Sequence, residues 1–424
     1  MNRFSRFLRI LGPGLITGAA DDDPSGIATY SQTGAQFGNG QLWTALFMLP
    51  FQTAVQEACA RIGGVTGKGI AAVVRHHYGK PVLYAVVLLV LVANTINIGA
   101  DIGAMAEAAK LIIPLPFIVW TLAFTVGILI LEIFTSYKVY ARVLKWLALA
   151  LISYPLTVLI VHVPWQQVFL ATFIPHIEFN FGFLFIITGV LGTTISPYMF
   201  FWQASEETEE ERENHLLGPF GKPRIDWEYI RRLRIDNFIG MFFSEIATWA
   251  IIVVAATVLN VHGITNITTA ADAAKALEPL VQSFPNAGFW AKVLFSVGII
   301  GLGLLSVPVL SGSAAYALSE AFHWKEGLYL KIKQAHGFYG VITIATLIGL
   351  LINFIGIDPF QALVFTAVIN GLVAVPLIFL IGRIANREDI MGEYKSRWLS
   401  NTLITITFLG MGAAAAGMII SFIK

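Results

Sequence analysis

Three consecutive aspartates, at positions 21–23, lie in an apolar stretch directly before Pro24. A carboxylate at the centre of a membrane span costs about 3 kcal/mol, so it is normally paired with a charge or lies on an ion pathway. No lysine or arginine occurs between residues 10 and 60 to serve as a partner. We therefore expect a cation here, with Asp23 as its direct ligand and with Asp21 and Asp22 either lining an entry vestibule or capping the second half-helix.

A second proline interrupts another apolar stretch, in the sequence Thr-Thr-Ile-Ser-Pro at 193–197. Proline removes a helical hydrogen bond and clashes with the preceding turn, which leaves backbone carbonyls and amides free. Unwound backbone at membrane depth is tolerated only where protein buries it or where it lines a cavity. Two such breaks, five spans apart, predict broken helices 1 and 6 of an inverted repeat that share an ion site. The alternative is that Pro24 and Pro197 only kink two structural helices.

The elements that carry these residues are expected to be membrane helices. Charged residues make up 12% of the chain and the mean hydropathy is +0.73, whereas a soluble domain carries about 25% charged residues. The net charge of +1 gives no indication of nucleic-acid binding, and the single cysteine, Cys59, excludes an internal disulfide. The sequence contains no Walker-type phosphate loop, so ATP-driven pumping is not expected. It also shows no nucleophile–base pair or metal triad of an enzyme, and no cofactor is expected.

Eleven apolar windows are long enough to cross a bilayer as helices. They cover residues 11–38, 41–60, 82–112, 115–134, 142–162, 181–204, 236–261, 288–320, 336–355, 359–382 and 401–423. With the N-terminus in the cytoplasm, all but four of the 27 lysines and arginines fall on the cytoplasmic side, as the positive-inside rule requires. The C-terminus is then external, and the cell membrane is the expected location. Residues 1–9 have no signal-peptide cleavage site and are expected to be retained.

These spans predict an all-α integral membrane protein with about 11 transmembrane helices in a five-plus-five inverted repeat. The transporter core is expected to cover residues 1–385, with repeat one at about 11–162 and repeat two at about 181–382. Residues 386–424 are expected to form a linker and a peripheral eleventh helix. The acidic run at 206–213 is interpreted as a solvated cytoplasmic loop.

Polar side chains also mark the third span. Asn94, Asn97 and Asp101 share one helical face, because their separations are three, four and seven residues, and they are expected to line the transport pathway. Hydrogen bonding between helices is the alternative for the two asparagines. Glu107 is a further candidate for carrying protons along this helix. For Glu245, in the seventh span, the sequence offers no partner.

Several motifs resemble those of the NRAMP family of divalent-metal transporters, in the same order and spacing. They are Gly-Pro-Gly-Leu at 12–15, Asp-Pro at 23–24, Gly-Ala-Gln-Phe-Gly at 34–38, Arg-Ile-Gly-Gly-Val-Thr-Gly-Lys at 61–68 and Gly-Thr-Thr-Ile-Ser-Pro-Tyr-Met at 192–199. The resemblance covers residues 10–385. It implies a leucine-transporter type of fold that moves a divalent metal ion by alternating access.

The sequence departs from the family pattern at positions where the resemblance places the metal. Gly26 stands where the family has an asparagine ligand, and Ser196 stands where it has a methionine ligand. Together with Asp23 and Thr193, these positions form the expected metal site. Thioethers favour late transition metals, whereas hydroxyl, carbonyl and water oxygens suit Mg²⁺ or Mn²⁺. The small residues are also expected to widen the cavity for a partly hydrated Mg²⁺. In these respects the sequence resembles the NRAMP-related magnesium transporters.

The resemblance also bears on proton coupling. The family's third-helix sequence Asp-Leu-Ala-Glu is here Asp-Ile-Gly-Ala at 101–104, so the aspartate remains and the glutamate is missing. Tyr198 replaces a family histidine, which titrates near neutral pH, whereas tyrosine titrates near pH 10. Coupling to protons is therefore expected to be weak or absent. Asn370 lies one position from the place of a family glutamine ligand and is a further candidate near the site.

The leading prediction is a secondary transporter or uniporter of divalent cations, Mg²⁺ and then Mn²⁺, whose partners are the lipid bilayer and the transported ion. One alternative is a proton-coupled Mn²⁺/Fe²⁺ symporter of the ordinary family type. The other is a Na⁺-coupled symporter of organic solutes with the same fold. The aspartate triplet disfavours the last, because it would repel the carboxylate of a substrate.

Overall fold

The computed structural model describes residues 13–135, 151–213, 215–217 and 223–423, and their regular secondary structure is helical apart from one isolated bridge between Leu217 and Pro223. The helices of the first half are α1 (Pro13–Asp21), α2 (Pro24–Phe37), α3 (Trp43–Thr66), α4 (Ile70–His77), α5 (Lys80–Lys110), α6 (Phe117–Phe134), α7 (Ser153–Ile160) and α8 (Trp165–Phe173).

The second half repeats the pattern of a broken helix followed by long spans. Its helices are α9 (Phe181–Thr194), α10 (Pro197–Glu213), α11 (Trp227–Val254), α12 (Ala270–Ala274), α13 (Glu278–Val281), α14 (Ala287–Phe322), α15 (His336–Ile352), α16 (Pro359–Asn386), α17 (Glu388–Met391) and α18 (Trp398–Ile423). Helix α11 continues through a π-helical turn, Ala255–Leu259, and a 3₁₀ turn, Asn260–His262. Two further 3₁₀ turns are Lys275–Leu277 and Gly392–Tyr394.

Seven helical segments of the described chain are long and apolar enough to cross a membrane. The other predicted spans depart from that standard for physical reasons. Helices α1 and α2 are separated by the break, and α15 has 17 residues. Helix α3 is long but carries five polar side chains that are buried in the protein, namely Thr44, Gln52, Gln56, Glu57 and Arg61. The fifth predicted span begins at residue 142, and its part up to residue 150 lies outside the described residues.

Both predicted breaks are present, and each falls immediately before its proline. Helix α1 ends at Asp21 and α2 begins at Pro24, while α9 ends at Thr194 and α10 begins at Pro197. Proline has no amide hydrogen to donate to a preceding turn, but its fixed φ angle suits the first position of a new helix. Each break is therefore the end of one half-helix and the start of another.

Glycines allow the broken helices to approach their neighbours closely. A Cβ atom at Gly18 in α1 would collide with the backbone of Gly240 in α11, and one at Gly192 in α9 would collide with the backbone of Gly371 in α16. Small residues at such crossings let membrane helices gain van der Waals contact. These contacts place α1 against α11 and α9 against α16.

The acidic run at 206–213 is helical, so the prediction of a solvated loop was wrong. It forms the end of α10, and Glu207 and Glu211 are buried. Glu207 accepts hydrogen bonds from the Gln203 side-chain amide at 2.8 Å and from the Tyr229 hydroxyl at 3.1 Å. Tyr229 stands in α11, far along the chain, so the sequence of the acidic run gave no sign of its partner.

A buried ion-pair network joins α3, α11 and the segment before α18. Arg61, which is fully buried, donates to both oxygens of Glu57 at 2.9 and 3.1 Å and to the Ser396 hydroxyl at 2.8 Å. Arg234 donates to Glu57 from the other side at 2.8 Å. A buried charge that is fully hydrogen-bonded is costly to disturb, because its former partner stays in a medium that solvates it poorly.

Replacing Arg61 with methionine is expected to lower the free energy of unfolding by about 3–5 kcal/mol, because the Glu57 carboxylate loses most of its compensation. The measurement is the thermal unfolding midpoint in detergent. Arg232→Met is the matched control, since Arg232 pairs with Glu228 at the surface and exposed pairs contribute about 0–1 kcal/mol. Equal shifts in the two variants would contradict a structural role of the buried network.

Candidate cation site at the two helix breaks

Asp23 lies between the two halves of the first broken helix and caps the second half. Its Oδ1 accepts hydrogen bonds from the Gly26 amide at 2.8 Å and from the Ser25 hydroxyl at 2.6 Å. An aspartate at this position satisfies an amide that the first helical turn leaves free, and the helix dipole favours its negative charge. The other oxygen, Oδ2, accepts a hydrogen bond from Nδ2 of Asn97 at 2.9 Å. One fully buried carboxylate therefore holds the break and faces α5.

Helix α5 presents two oxygens without hydrogen-bond partners beside this carboxylate. Within the described part of the chain, Oδ1 of Asn97 and Oδ1 of Asp101 are buried and accept no hydrogen bond. The other oxygen of Asp101 accepts the Ser306 hydroxyl of α14 at 2.7 Å. Asn94 instead donates to a backbone carbonyl of α14 at 2.9 Å. Of the three polar side chains of this face, Asn94 and Asp101 therefore bond to α14, and Asn97 bonds to Asp23 at the break.

The second break contributes hydroxyl and carbonyl oxygens. The Thr193 hydroxyl oxygen lies 3.3 Å from that of Ser25, so the two breaks meet. The Ser196 hydroxyl shares its one hydrogen between two acceptors, the Thr193 carbonyl oxygen at 2.6 Å and the Gly192 carbonyl oxygen at 2.8 Å. Ser196 therefore satisfies carbonyls at the end of α9 that no later helical amide can reach. Its oxygen keeps lone pairs for a further partner.

Tyr198 links the two breaks through the backbone. Its hydroxyl donates to the carbonyl oxygen of Ala20 at 2.9 Å, in the last turn of α1. Carbonyls in that turn have no partner within the helix because α1 stops at Asp21. Tyr198 is fully buried, and its hydrogen bond joins the start of α10 to the end of α1.

The space beside Gly26 is filled in this conformation. A Cβ atom there would lie 3.2 Å from the Tyr30 ring, 3.3 Å from the Thr193 hydroxyl and 3.4 Å from the Asp21 carbonyl oxygen. The Tyr30 hydroxyl is held at 2.9 Å from the Thr194 hydroxyl. In this conformation a side chain larger than that of glycine would therefore press on the Tyr30 ring and the Thr193 hydroxyl.

Asp21 and Asp22 face the opposite side of the break, towards α3 and α11. Oδ2 of Asp21 accepts hydrogen bonds from the Ser244 hydroxyl, at 2.6 Å, and from the Gln52 side chain. Asp22 lies beside Ser244 and Thr248. The sequence did not single out these three partners, since isolated serine, threonine and glutamine residues are ordinary in membrane helices.

The remaining candidates lie apart from Asp23. Asn370 in α16 is buried, and neither atom of its amide group has a hydrogen-bond partner in the described chain. The next residue, Gly371, packs on α9, so Asn370 stands close to the second break. Glu107 pairs with Lys110 at 2.7 Å and shares a cavity of about 40 Å³ with Asp358. Glu107 is therefore near the end of α5 and does not join the cluster at the break.

The donors around Asp23 suit a hard cation. They are carboxylate, amide, hydroxyl and carbonyl oxygens, which are the ligands that Mg²⁺, Ca²⁺ and Mn²⁺ prefer. Asp23, Thr193 and Ser196 are fully buried in this conformation. Within the described residues, no three histidine, cysteine, aspartate or glutamate side chains converge in the manner of a closed metal site. An ion here would rely on one carboxylate and on neutral oxygens.

Comparison with known proteins agrees with this architecture. The family profile described as natural resistance-associated macrophage protein-like (Nramp) matches residues 14–421. The divalent metal cation transporter MntH of Verminephrobacter eiseniae is 25% identical over 426 residues, which cover 98% of this chain and 90% of that protein. MntH of Agrobacterium fabrum is 26% identical over 407 residues, with 94% and 84% covered.

Solved structures show the same fold at lower sequence identity. A crystal structure of the Eremococcus coleocola manganese transporter, in complex with an aromatic bis-isothiourea substituted compound, has a TM-score of 0.76 at 15% identity and covers 100% of this chain and 90% of that one. MhsT in complex with L-phenylalanine has a TM-score of 0.58 at 14% identity, with 97% of each chain covered. These likenesses confirm the predicted leucine-transporter type of fold.

Gly26→Ala is expected to lower the free energy of unfolding by about 1–3 kcal/mol, because the added methyl group must displace Tyr30 or Thr193. The matched control is Gly127→Ala in α6, where nothing lies within 4 Å of the new atom. That change should stabilise the protein by up to about 1 kcal/mol through helix propensity. Thermal unfolding of both variants in detergent distinguishes the two effects, and stabilisation by Gly26→Ala would show that the space is open.

Proposed function

This chain belongs to the Nramp family, whose profile spans nearly its whole length, and we propose that it carries hard divalent cations across the membrane by alternating access, Mg²⁺ first and Mn²⁺ second. It is an integral membrane transporter and not an enzyme. The observation that carries the proposal is the buried Asp23 carboxylate at the meeting point of two helix breaks, with oxygen donors from α5 and α9 beside it.

The choice of ion rests on the chemistry of these donors. Ser196 provides a hydroxyl, and Gly26 provides no side chain. Divalent first-row metals bind more tightly to nitrogen and sulfur ligands towards the end of the row, and none of the groups around Asp23 is a thioether or an imidazole. Mg²⁺ and Mn²⁺ accept oxygen ligands. The named relatives are described as divalent metal cation transporters and as a manganese transporter, which supports the divalent class.

The break provides the means for alternating access. The first broken helix consists of α1 and α2, and the second consists of α9 and α10. We pair α1 with α10 on one side of the junction and α2 with α9 on the other. The two pairs can move separately while the ion stays at the junction. With the proposed cytoplasmic N-terminus, the membrane potential drives import. A divalent ion gains about 4.6 kcal/mol per 100 mV, twice the value for one charge. A uniporter therefore needs no proton, and we place this protein in the cell membrane.

Weak proton coupling is the second part of the proposal. Tyr198 uses its hydroxyl to hold the end of α1, and Ala104 has no group that can carry a proton. Asp101 remains as a titratable group near Asp23. The alternative, a proton-coupled symporter of Mn²⁺ or Fe²⁺, predicts acidification of the lumen together with metal uptake.

A symporter of organic solutes is the alternative from another class, and the fold alone does not exclude it. Such a carrier needs a free half-helix N-terminus for a substrate carboxylate. Here the start of α2 is already occupied, because Asp23 accepts the Gly26 amide. A negatively charged solute would meet the carboxylates at positions 21–23.

The decisive experiment is reconstitution in liposomes with Mg²⁺, Mn²⁺, Fe²⁺, Cd²⁺ and amino acids offered separately, while a lumenal dye reports pH. We expect Mg²⁺ and Mn²⁺ flux with little acidification. Flux of Fe²⁺ or Cd²⁺ without Mg²⁺ would refute the preference for hard ions. Stoichiometric acidification would refute weak coupling.

Asp23→Asn is expected to reduce Mg²⁺ and Mn²⁺ flux to the background of empty liposomes. Asparagine is an equally good helix cap, so this change removes the charge while it preserves the break. The control is Asp272→Asn, since Asp272 pairs with Lys275 in the partly exposed segment before α14. Retained flux in Asp23→Asn would displace the site from the break.

Ser196→Met is expected to raise Cd²⁺ flux relative to Mg²⁺ flux several-fold, because a thioether favours softer ions. Ser196→Ala is the matched control, since it removes the hydroxyl without adding sulfur. Competition between Cd²⁺ and Mn²⁺ for uptake in liposomes measures the change. Equal selectivity in the two variants would show that position 196 does not contact the ion.

A further inference from the structure

Glu245 of α11, for which the sequence offered no partner, lies on the far side of the first break. It is buried, and its electrostatic neighbours are Asp21 and Asp22. These three carboxyls occupy the face of the break that is turned towards α3 and α11, whereas Asp23 is turned towards α5. We propose that Asp21, Asp22 and Glu245 form a second subsite for a divalent cation, distinct from the one at Asp23.

Oxygens without hydrogen-bond partners support a ligand in this place. Among the described residues, both carboxylate oxygens of Glu245 and one oxygen each of Asp21 and Asp22 are buried and accept no hydrogen bond. A buried carboxylate that lacks partners pays most of its desolvation cost, so it needs either a cation or a proton.

Two neutral side chains lie beside these carboxyls, Thr248 at Asp22 and Gln52 at Asp21. The Thr248 hydroxyl is buried within reach of the Asp22 carboxylate and makes no other hydrogen bond in the described chain. Gln52 donates its amide to Asp21, while its own carbonyl oxygen is buried and unpaired. Hydroxyl and amide oxygens are good ligands for hard cations, and the unpaired carbonyl oxygen of Gln52 is not explained by the acidic cluster alone.

The charge of the cluster favours a divalent ion over a monovalent one. In the described part of the chain, each ion pair of a lysine or arginine involves an acid other than these three. Three carboxylates can therefore carry up to three uncompensated charges. A divalent cation offsets two of them, whereas Na⁺ offsets one.

The three carboxyls do not already converge on one point. Ser244 and Gln52 hold one oxygen of Asp21, so binding must draw in the free oxygens of Asp22 and Glu245. Glu245 has the longest of these side chains and no hydrogen bond to lose, and it is the group that would rotate. The subsite rests on the proposed function, because it places a second ion of the transported class next to the first. Repulsion between two ions so placed would favour release of the one at Asp23.

The test is equilibrium dialysis of the purified full-length protein in detergent against Mn²⁺ alone. We expect two ions per chain in the wild type and one in Glu245→Gln, which keeps the shape of the side chain. Asp23→Asn should also bind one ion, held by the second subsite. One ion in the wild type, or two in Glu245→Gln with unchanged affinities, would overturn the proposal.

Two further measurements keep the result specific. Glu132→Gln is the matched control, because Glu132 is a buried carboxyl of α6 that the Ser311 hydroxyl already contacts, and it should leave two ions bound. Thr248→Val provides a second variant should Glu245→Gln fail to fold, and it should weaken only the second ion. Displacement of that ion by Na⁺ at equal concentration would overturn the divalent assignment.

These outcomes separate the two proposals. If Asp23→Asn retains transport, the proposed function fails, whatever the number of ions bound. If Asp23→Asn abolishes transport and the wild type binds one ion, the proposed function stands and the second subsite is refuted.

Discussion

The structure depends on one constraint, which is that backbone polar groups at membrane depth must find partners inside the protein. Both breaks create free groups, and side chains near the breaks satisfy several of them. Asp23 accepts the Gly26 amide, Ser196 donates to carbonyls at the end of α9, and Tyr198 donates to a carbonyl at the end of α1. The groups that make the breaks tolerable are therefore the same groups that line the candidate site.

This constraint also divides the aspartate triplet. Helix α1 ends at Asp21, and Asp23 takes an extended backbone conformation before α2 begins. The carboxylates of neighbouring residues then point to different helices instead of the same face. Asp23 meets Asn97 of α5, while Asp21 meets Ser244 of α11. A run of three like charges is thus spread over two environments, which lowers their mutual repulsion.

The sequence was informative where one local signal decides the outcome. Apolar windows gave the long helices, and the prolines gave the position of both breaks, because proline fixes the backbone whatever surrounds it. It was uninformative where the partner is distant in the chain. The burial of Glu207 depends on Tyr229, and the surroundings of Glu245 depend on α1. The contact of Tyr30 with Gly26 follows from their spacing of four residues on one helix, whereas the approach of Thr193 to Gly26 depends on the distant second break.

The filled space at Gly26 bears on how a strongly hydrated ion can pass. Mg²⁺ dehydrates reluctantly and usually keeps several of its waters when it is bound. In this conformation a Cβ atom at position 26 would already lie 3.2 Å from the Tyr30 ring and 3.3 Å from the Thr193 hydroxyl, so the space beside Gly26 is narrow. Tyr30 and Thr194 are joined by a single hydrogen bond between α2 and α9, two half-helices on the same side of the junction. Because Gly26 and Tyr30 both lie on α2, room for a hydrated ion beside Gly26 requires the Tyr30 side chain to leave Thr194 and turn away from Gly26.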